Sequence, residues 1–194
     1  IRQDSVEDFI IYINRNNVSP KSIEIKQSIF ETNTFLIKRK PTLIEYAAFY
    51  GSIQIFQYLL FNKFKLTPSL WLYAIHGGNA SLIRLLDENH AKKSSHMIEK
   101  CLKEAIKCHH NDIANFIINN LMDEGTNKYN IAYHFNENIY KYSFHYYNFC
   151  FFPDDFDNKF SFFNACKFNY HTLVNLYSKY KHNDLNATVV NILL

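Results

Sequence analysis

The feature that most restricts the fold is internal repetition, found by sliding the chain along itself. The stretch Thr42–Leu60, which contains Ala47-Ala48-Phe49-Tyr50-Gly51 and then Ile55, Phe56, Leu59 and Leu60, aligns without a gap on Ser69–Leu86 at an offset of 27 (Ala47 to Ala74). A third copy carries Leu102, Ala105, Ile106, His109, Ile113, Ala114, Ile117 and Ile118, offset by 58 (Ala47 to Ala105). A fourth carries Phe162, Ala165, Cys166, Asn169, Leu173, Val174 and Tyr177, offset by 118 (Ala47 to Ala165). In each copy a small residue (Ala47, Ala74, Ala105, Ala165) sits where two helices must approach closely. Four positions later comes a residue that tolerates a left-handed backbone: Gly51, Gly78 or Asn169, with His109 as a weaker choice in the third copy. Apolar residues at i, i+1, i+4 and usually i+5 then mark one face of a second helix. A short helix, a tight turn and a longer helix cannot bury their apolar faces alone, whereas stacked neighbours can. The pattern therefore predicts an all-α solenoid of helix pairs.

The repeats fall at 41–62, 68–90, 98–122 and 158–181, within one domain spanning 1–194. Between Ala105 and Ala165 there is room for two repeats, so a degenerate copy is expected over 128–152. Ile131–Phe135 lies at its start, and Ile139, Tyr140, Tyr142 and Phe144 would form its second helix. Upstream, Val6, Phe9, Ile10 and Ile13 recur at helical spacing behind a cap at Asp4 or Ser5, as the second half of a partial repeat within 1–40. Ser19-Pro20 ends that helix, and residues 21–40 read as a connector with a helical turn or two around Ile29, Phe30, Phe35 and Leu36. Residues 182–194 read as the start of a further repeat. Since the chain opens at Ile1 and stops within an apolar pattern at Leu194, it is expected to be a fragment.

At Thr42–Leu60 the chain resembles the ankyrin repeat, whose consensus runs Thr-Pro-Leu-His-x-Ala-Ala-x-x-Gly-His, then Ile-Val and Leu-Leu. The consensus Pro and His are replaced in every copy. The 27-residue step also leaves too little chain for the usual β-hairpin finger, and Phe61–Pro68 lacks the Gly-Ala-Asp that opens one. More narrowly, the chain is similar to an ankyrin-like domain of unknown function expanded in flagellate protists. The stretches carrying that likeness are Pro41–Gln57, Leu66–Gly77, Cys101–Ala114, Tyr142–Asn148 with Phe152-Pro153, and Phe156–Tyr170. This resemblance implies ankyrin-type architecture and brings no catalytic residue, cofactor or ligand.

Composition narrows the function classes. Only 4 Gly and 4 Pro argue against a fold of many short strands. A formal charge of +3 with scattered basic residues is weak for a nucleic-acid reader. Four cysteines do not make a disulfide framework, which favours a reduced, cytoplasmic or otherwise intracellular setting. No run approaches 18 apolar residues, so no membrane span is expected. The triplets at Asn17, Asn79 and Asn186 fit the glycosylation pattern, but an Asn-rich chain produces them by chance.

Chemistry-bearing motifs are sparse. Cys101, Cys108, His109 and His110, with His96 nearby, suggest zinc by type, yet Cys101 and Cys108 lie seven apart with no Cys-x-x-Cys pair, which argues against a metal site. Adjacent residues such as Cys108 and His109 point apart on a helix, so they make a poor nucleophile and base. No phosphate loop, nucleophile elbow or paired-carboxylate motif is present. The aromatic stretch Tyr140–Phe152 invites base stacking, but Lys141 stands almost alone there, and core packing explains the rings better.

What remains is a protein-interaction scaffold without cofactor or metal, its partner unidentified. Ankyrin solenoids bind through the tips before each first helix and through that helix's exposed face. By the resemblance those positions are Phe49, Tyr50, His76, Lys107, Lys167 and Phe168 on the helices, and Lys38, Arg39 and Lys65 on the tips. The tips also take in Leu66, His96, Met97, Glu99, Asp157 and Lys159. Mixed aromatic and basic residues suit a protein partner with an acidic patch. The alternative is a nucleic-acid or anionic-surface binder using the same tips.

Overall fold

A computed structural model of the chain describes residues 1–17, 19–23, 25, 28–91, 94–121, 128–152 and 159–180. Among them the protein is all-helical, with eleven α-helices and no strand. Two compact units divide it, Ile1–Asp123 and Glu124–Leu194.

In the first unit, α1 (Val6–Arg15) buries Phe9 and Ile13, and Ser5 caps it by accepting from Asp8 N at 3.2 Å. A 3-10 turn (Pro20–Ser22) follows, then the short α2 (Thr34–Arg39). The helix α3 (Leu43–Tyr50) starts at a capping box, in which Glu45 accepts from Thr42 N at 2.8 Å. It is followed by α4 (Ile53–Phe61), α5 (Ser69–His76) and α6 (Ala80–Glu88). Then come α7 (Ser95–Lys107) and α8 (Asn111–Phe116), the latter running on as a π-helical turn over Ile117–Leu121.

The turn joining each pair is one hydrogen-bonded motif. The residue after the left-handed position donates to the small residue five places back: Ser52 N to Ala47 O at 3.0 Å, Asn79 N to Ala74 O at 3.1 Å and His110 N to Ala105 O at 3.0 Å. Gly51, Gly78 and His109 hold the left-handed backbone at φ +66, +70 and +58°. This Schellman closure satisfies carbonyls that a helix end leaves bare.

Packing links α3 to α4 and α5, α5 to α6 and α7, α7 to α8, and α1 to α4. Ala47, Ala74 and Ala105 are buried, as are Ile55, Leu59, Leu82, Leu86, Ile113 and Ile117. A Cβ on Gly77 would come within 2.0 Å of the Phe49 carbonyl oxygen, so glycine there is required by close approach of the chain to the end of α3. His96, Met97 and Glu99, expected on a tip, belong instead to α7, because Ser94 accepts from Met97 N and starts the helix early.

The second unit holds α9 (Lys128–Tyr146), a 3-10 turn (Phe149–Phe151), α10 (Lys159–Lys167) and α11 (His171–Tyr180). The α10–α11 turn repeats the closure, with Tyr170 N on Ala165 O at 2.8 Å and Asn169 at φ +60°. The degenerate copy at 128–152 differs from the expected helix pair. Residues 128–146 of it form one continuous helix, which neither glycine nor proline interrupts. Its end shows the same closure in a later register: Asn148 N donates to Ser143 O at 2.9 Å, and Tyr147 takes φ +57°. Ser143 is thus the small residue, and Ile139 and Phe144 lie in a first helix rather than a second. Buried Phe144, Ala165 and Tyr177 form the core of this unit, packed by Phe152, Phe162, Phe168 and Tyr170. Leu173, expected to be buried, is only partly so, at the margin of that cluster. The further repeat at 182–194, and the tip residue Asp157, lie outside the described residues.

Candidate functional site

The first-helix face offered by Phe49, Tyr50 and His76 is half-buried, because the chain covers it with its own α2 and with Arg2 and Glu31. Asn33 caps α2 by accepting from Phe35 N at 2.9 Å and Leu36 N at 3.3 Å. Capping turns Phe35 onto the ends of α3 and α5. Its ring stacks on His76 at 4.1 Å and on Phe49 at 6.1 Å, and meets Tyr73 edge-on at 5.1 Å. Ahead of α2, Glu31 accepts from Tyr50 OH at 3.2 Å and pairs with Arg2 at 2.8 Å. Arg2 in turn donates to Tyr46 OH at 2.9 Å. The sequence signal for this cover is the Asn33 cap followed by the paired apolar Phe35 and Leu36, within the stretch expected as connector.

Cover on one side leaves charge on the other. Lys38 and Arg39 stay exposed on α2, with the Arg39 guanidinium 4.6 Å above the Phe35 ring. Next to them a groove of about 850 Å³ opens at the start of α3 and α5. Lys65 lines it together with Lys21, Lys40 and Lys63, all four exposed. Pro41, Leu43 and Ile44 are buried along its floor, and Phe64 is half-buried. The acid there, Glu45, has its carboxylate engaged by Thr42 and by Ser69 Oγ. The groove is therefore lined by four exposed lysines and an apolar floor. Sequence reasoning found Lys65 but not its neighbours, which come from three separate connectors.

Lys107 is not a lone surface charge. It donates to Glu104 Oε1 at 2.9 Å, and the same oxygen lies 2.6 Å from His76 Nδ1. Burial by itself would raise the Glu104 carboxyl, but hydrogen bonds from His76 and Lys107 outweigh it and hold the group down at about 2. Cys108 is half-buried with Sγ 3.5 Å from His76 Nδ1. Burial and the Glu104 charge push its thiol up to about 11. Thiol and carboxylate both meet the same ring nitrogen, so the imidazole cannot stand between a nucleophile and an orienting acid as a proton relay needs. Cys101 is buried, its thiol pushed up to about 12 by burial, and is chemically inert.

In the second unit Lys167 is exposed and Phe168 half-buried, with Lys167 Nζ 5.8 Å from the Phe168 ring centre and 5.9 Å from that of Phe163. His145 meets Phe168 edge-on at 5.2 Å. Among the described residues no helix is long and apolar enough to cross a membrane. No protein-family model, no curated protein and no solved structure matches this chain.

Proposed function

We propose that the chain is a non-catalytic protein-interaction scaffold, an ankyrin-type solenoid whose helix pairs stack side by side. The observation that carries this reading is the groove beside α3 and α5, where Lys21, Lys40, Lys63 and Lys65 surround an apolar floor. Buried apolar contact supplies affinity at such a surface, while charge selects the partner and speeds encounter. The occupant that fits is an acidic segment carrying one or two apolar side chains. Repetition of the same closure after Ala47, Ala74, Ala105, Ser143 and Ala165 supports the solenoid reading. Because α2 lies over part of the first-helix face, this reading puts the exposed Lys38 and Arg39 of α2 and the tip residue Lys65 ahead of Phe49, Tyr50 and His76 as contact residues.

Salt dependence tests the reading. Proteins captured on the full chain are identified, and the tightest is titrated in rising salt beside a labelled single-stranded oligonucleotide. A protein partner held partly by apolar contact loses affinity gently, whereas phosphate-driven binding collapses steeply. Tight oligonucleotide binding with a steep salt slope, and no protein partner, would overturn the proposal in favour of a nucleic-acid module.

A further inference from the structure

Among the described residues of the first unit, one compact set of donor atoms joins two neighbouring repeats. His76 is the last residue of α5 and Cys108 the C-cap of α7, with Glu104 one turn before Cys108 on the same face. One ring nitrogen, one carboxylate oxygen and one sulfur all lie within 4.8 Å of one another. His76 Nδ1 and Cys108 Sγ are 3.5 Å apart, and Cys108 Sγ and Glu104 Oε1 are 3.8 Å apart. A tetrahedral ion with bonds of about 2.0–2.3 Å sets its ligand atoms roughly 3.3–3.8 Å from one another, so two of the three edges already fit. The third, the 2.6 Å His76–Glu104 contact, is a hydrogen bond that an ion would replace.

The surroundings favour a cation. Each helix brings its C-terminal end, the negative pole of its dipole, to the cluster. The His76 ring stacks on Phe35 at 4.1 Å and lies 5.4 Å from Phe49, ring contacts that restrain its plane and wall off one side. Lys107, which neutralises Glu104 in the metal-free pair, keeps 42% of its side chain exposed and can swing into water. Spacing along one helix could not reveal the set, because His76 arrives from the preceding repeat.

We propose that His76 Nδ1, Glu104 and Cys108 Sγ bind one Zn²⁺, with the fourth position open to water. Sulfur, nitrogen and oxygen together suit this borderline ion, and three protein ligands leave one place free. Binding forms the zinc–sulfur bond and releases the Cys108 proton to solvent, so thiolate, carboxylate and dication sum to zero charge. The ion would tie α5 to α7 under the α2 cover.

Cobalt is the probe. Co²⁺ titrated into the full reduced chain should saturate at one ion per chain, with a thiolate-to-metal charge-transfer band and the strong visible bands of tetrahedral cobalt. Zn²⁺ should erase both. Cys108→Ser should abolish the charge-transfer band while Cys101→Ser keeps it, circular dichroism confirming that each variant is folded. Zn²⁺ should also slow alkylation of Cys108 by about tenfold or more while leaving exposed Cys166 unchanged. Absence of the band in the wild-type chain, or its persistence in Cys108→Ser, would overturn the proposal and leave a hydrogen-bonded cluster only.

Discussion

Gly51 and Gly78 turn the chain after the first helices of one unit, while Tyr147 and Asn169 do so in the other. The backbone hardly differs: φ is +66 and +70° at the glycines, +57 and +60° at Tyr147 and Asn169. The cores do differ. Leu59, Leu82, Leu86 and Ile117 fill the first unit around Phe56 and Trp71, whereas rings alone, Phe144, Phe152, Phe162, Tyr170 and Tyr177, make up most of the second. A left-handed tyrosine costs about 1–2 kcal/mol that glycine does not. Ring contacts offset part of it, since Tyr147 lies 5.2 Å from Tyr170 and Phe144 stacks on Phe152 at 4.4 Å. The closure is thus set by the hydrogen bond to the small residue, and glycine is only its most legible mark.

The largest effect that sharpens this contrast lies in the first unit. Leu59→Ala should cost about 2–5 kcal/mol in urea unfolding, because it opens a cavity at a fully buried site. Trp71 is the sole tryptophan and is buried in that unit, so its fluorescence reads the loss directly. Leu173→Ala, at the margin of the aromatic core, should cost less. Equal losses would remove the distinction between filled crossing and margin.

An acid limb should also belong to the first unit. The folded Glu104 carboxyl is held at about 2 against an ordinary 4.5. A depressed carboxyl contributes stability that is complete above about 4.5 and is lost as pH falls from there toward about 2. The contribution is at most about 3 kcal/mol. Glu104→Gln should lower stability at neutral pH and flatten that limb. An unchanged limb would assign acid sensitivity elsewhere.

Smaller still is the effect of exchanging the turns. Gly51→Ala should cost about 1–2 kcal/mol, from left-handed strain and the Asn79 side chain packed against it. Tyr147→Gly should fall within about 1 kcal/mol of wild type, as relieved strain is offset by a lost ring contact. A large gain from Tyr147→Gly would mean that the rings do not offset the strain. At the bottom of the scale, Arg84→Ala removes only the exposed pair with Glu88 at 3.5 Å and should cost under about 0.5 kcal/mol.

The same contrast explains what was legible in the sequence. Ala47, Ala74, Ala105 and Ala165 announced the helix crossings because small residues four places before a left-handed position have few other uses. Ser143 and Tyr147 gave no such mark, so the helix that ends there was expected eleven residues too early (Ala132 against Ser143). The candidate sites were harder to read because they are assembled across elements. Phe35 reaches back over Phe49 and His76, and Cys108 meets a histidine 32 positions away, contacts that no spacing along one helix encodes. Lys65 was visible as a tip residue, yet Lys21 and Lys40 reach the groove from other connectors.

The binding role is tested most directly by reversing charge in the groove. The Lys40→Glu/Lys65→Glu variant alters two exposed side chains and leaves the helices and their closures intact. Its affinity for the captured partner should fall by about tenfold or more, chiefly through a slower association rate, with Trp71 fluorescence unchanged. Unaltered affinity and association rate in that variant would contradict the account and move the binding surface away from the groove.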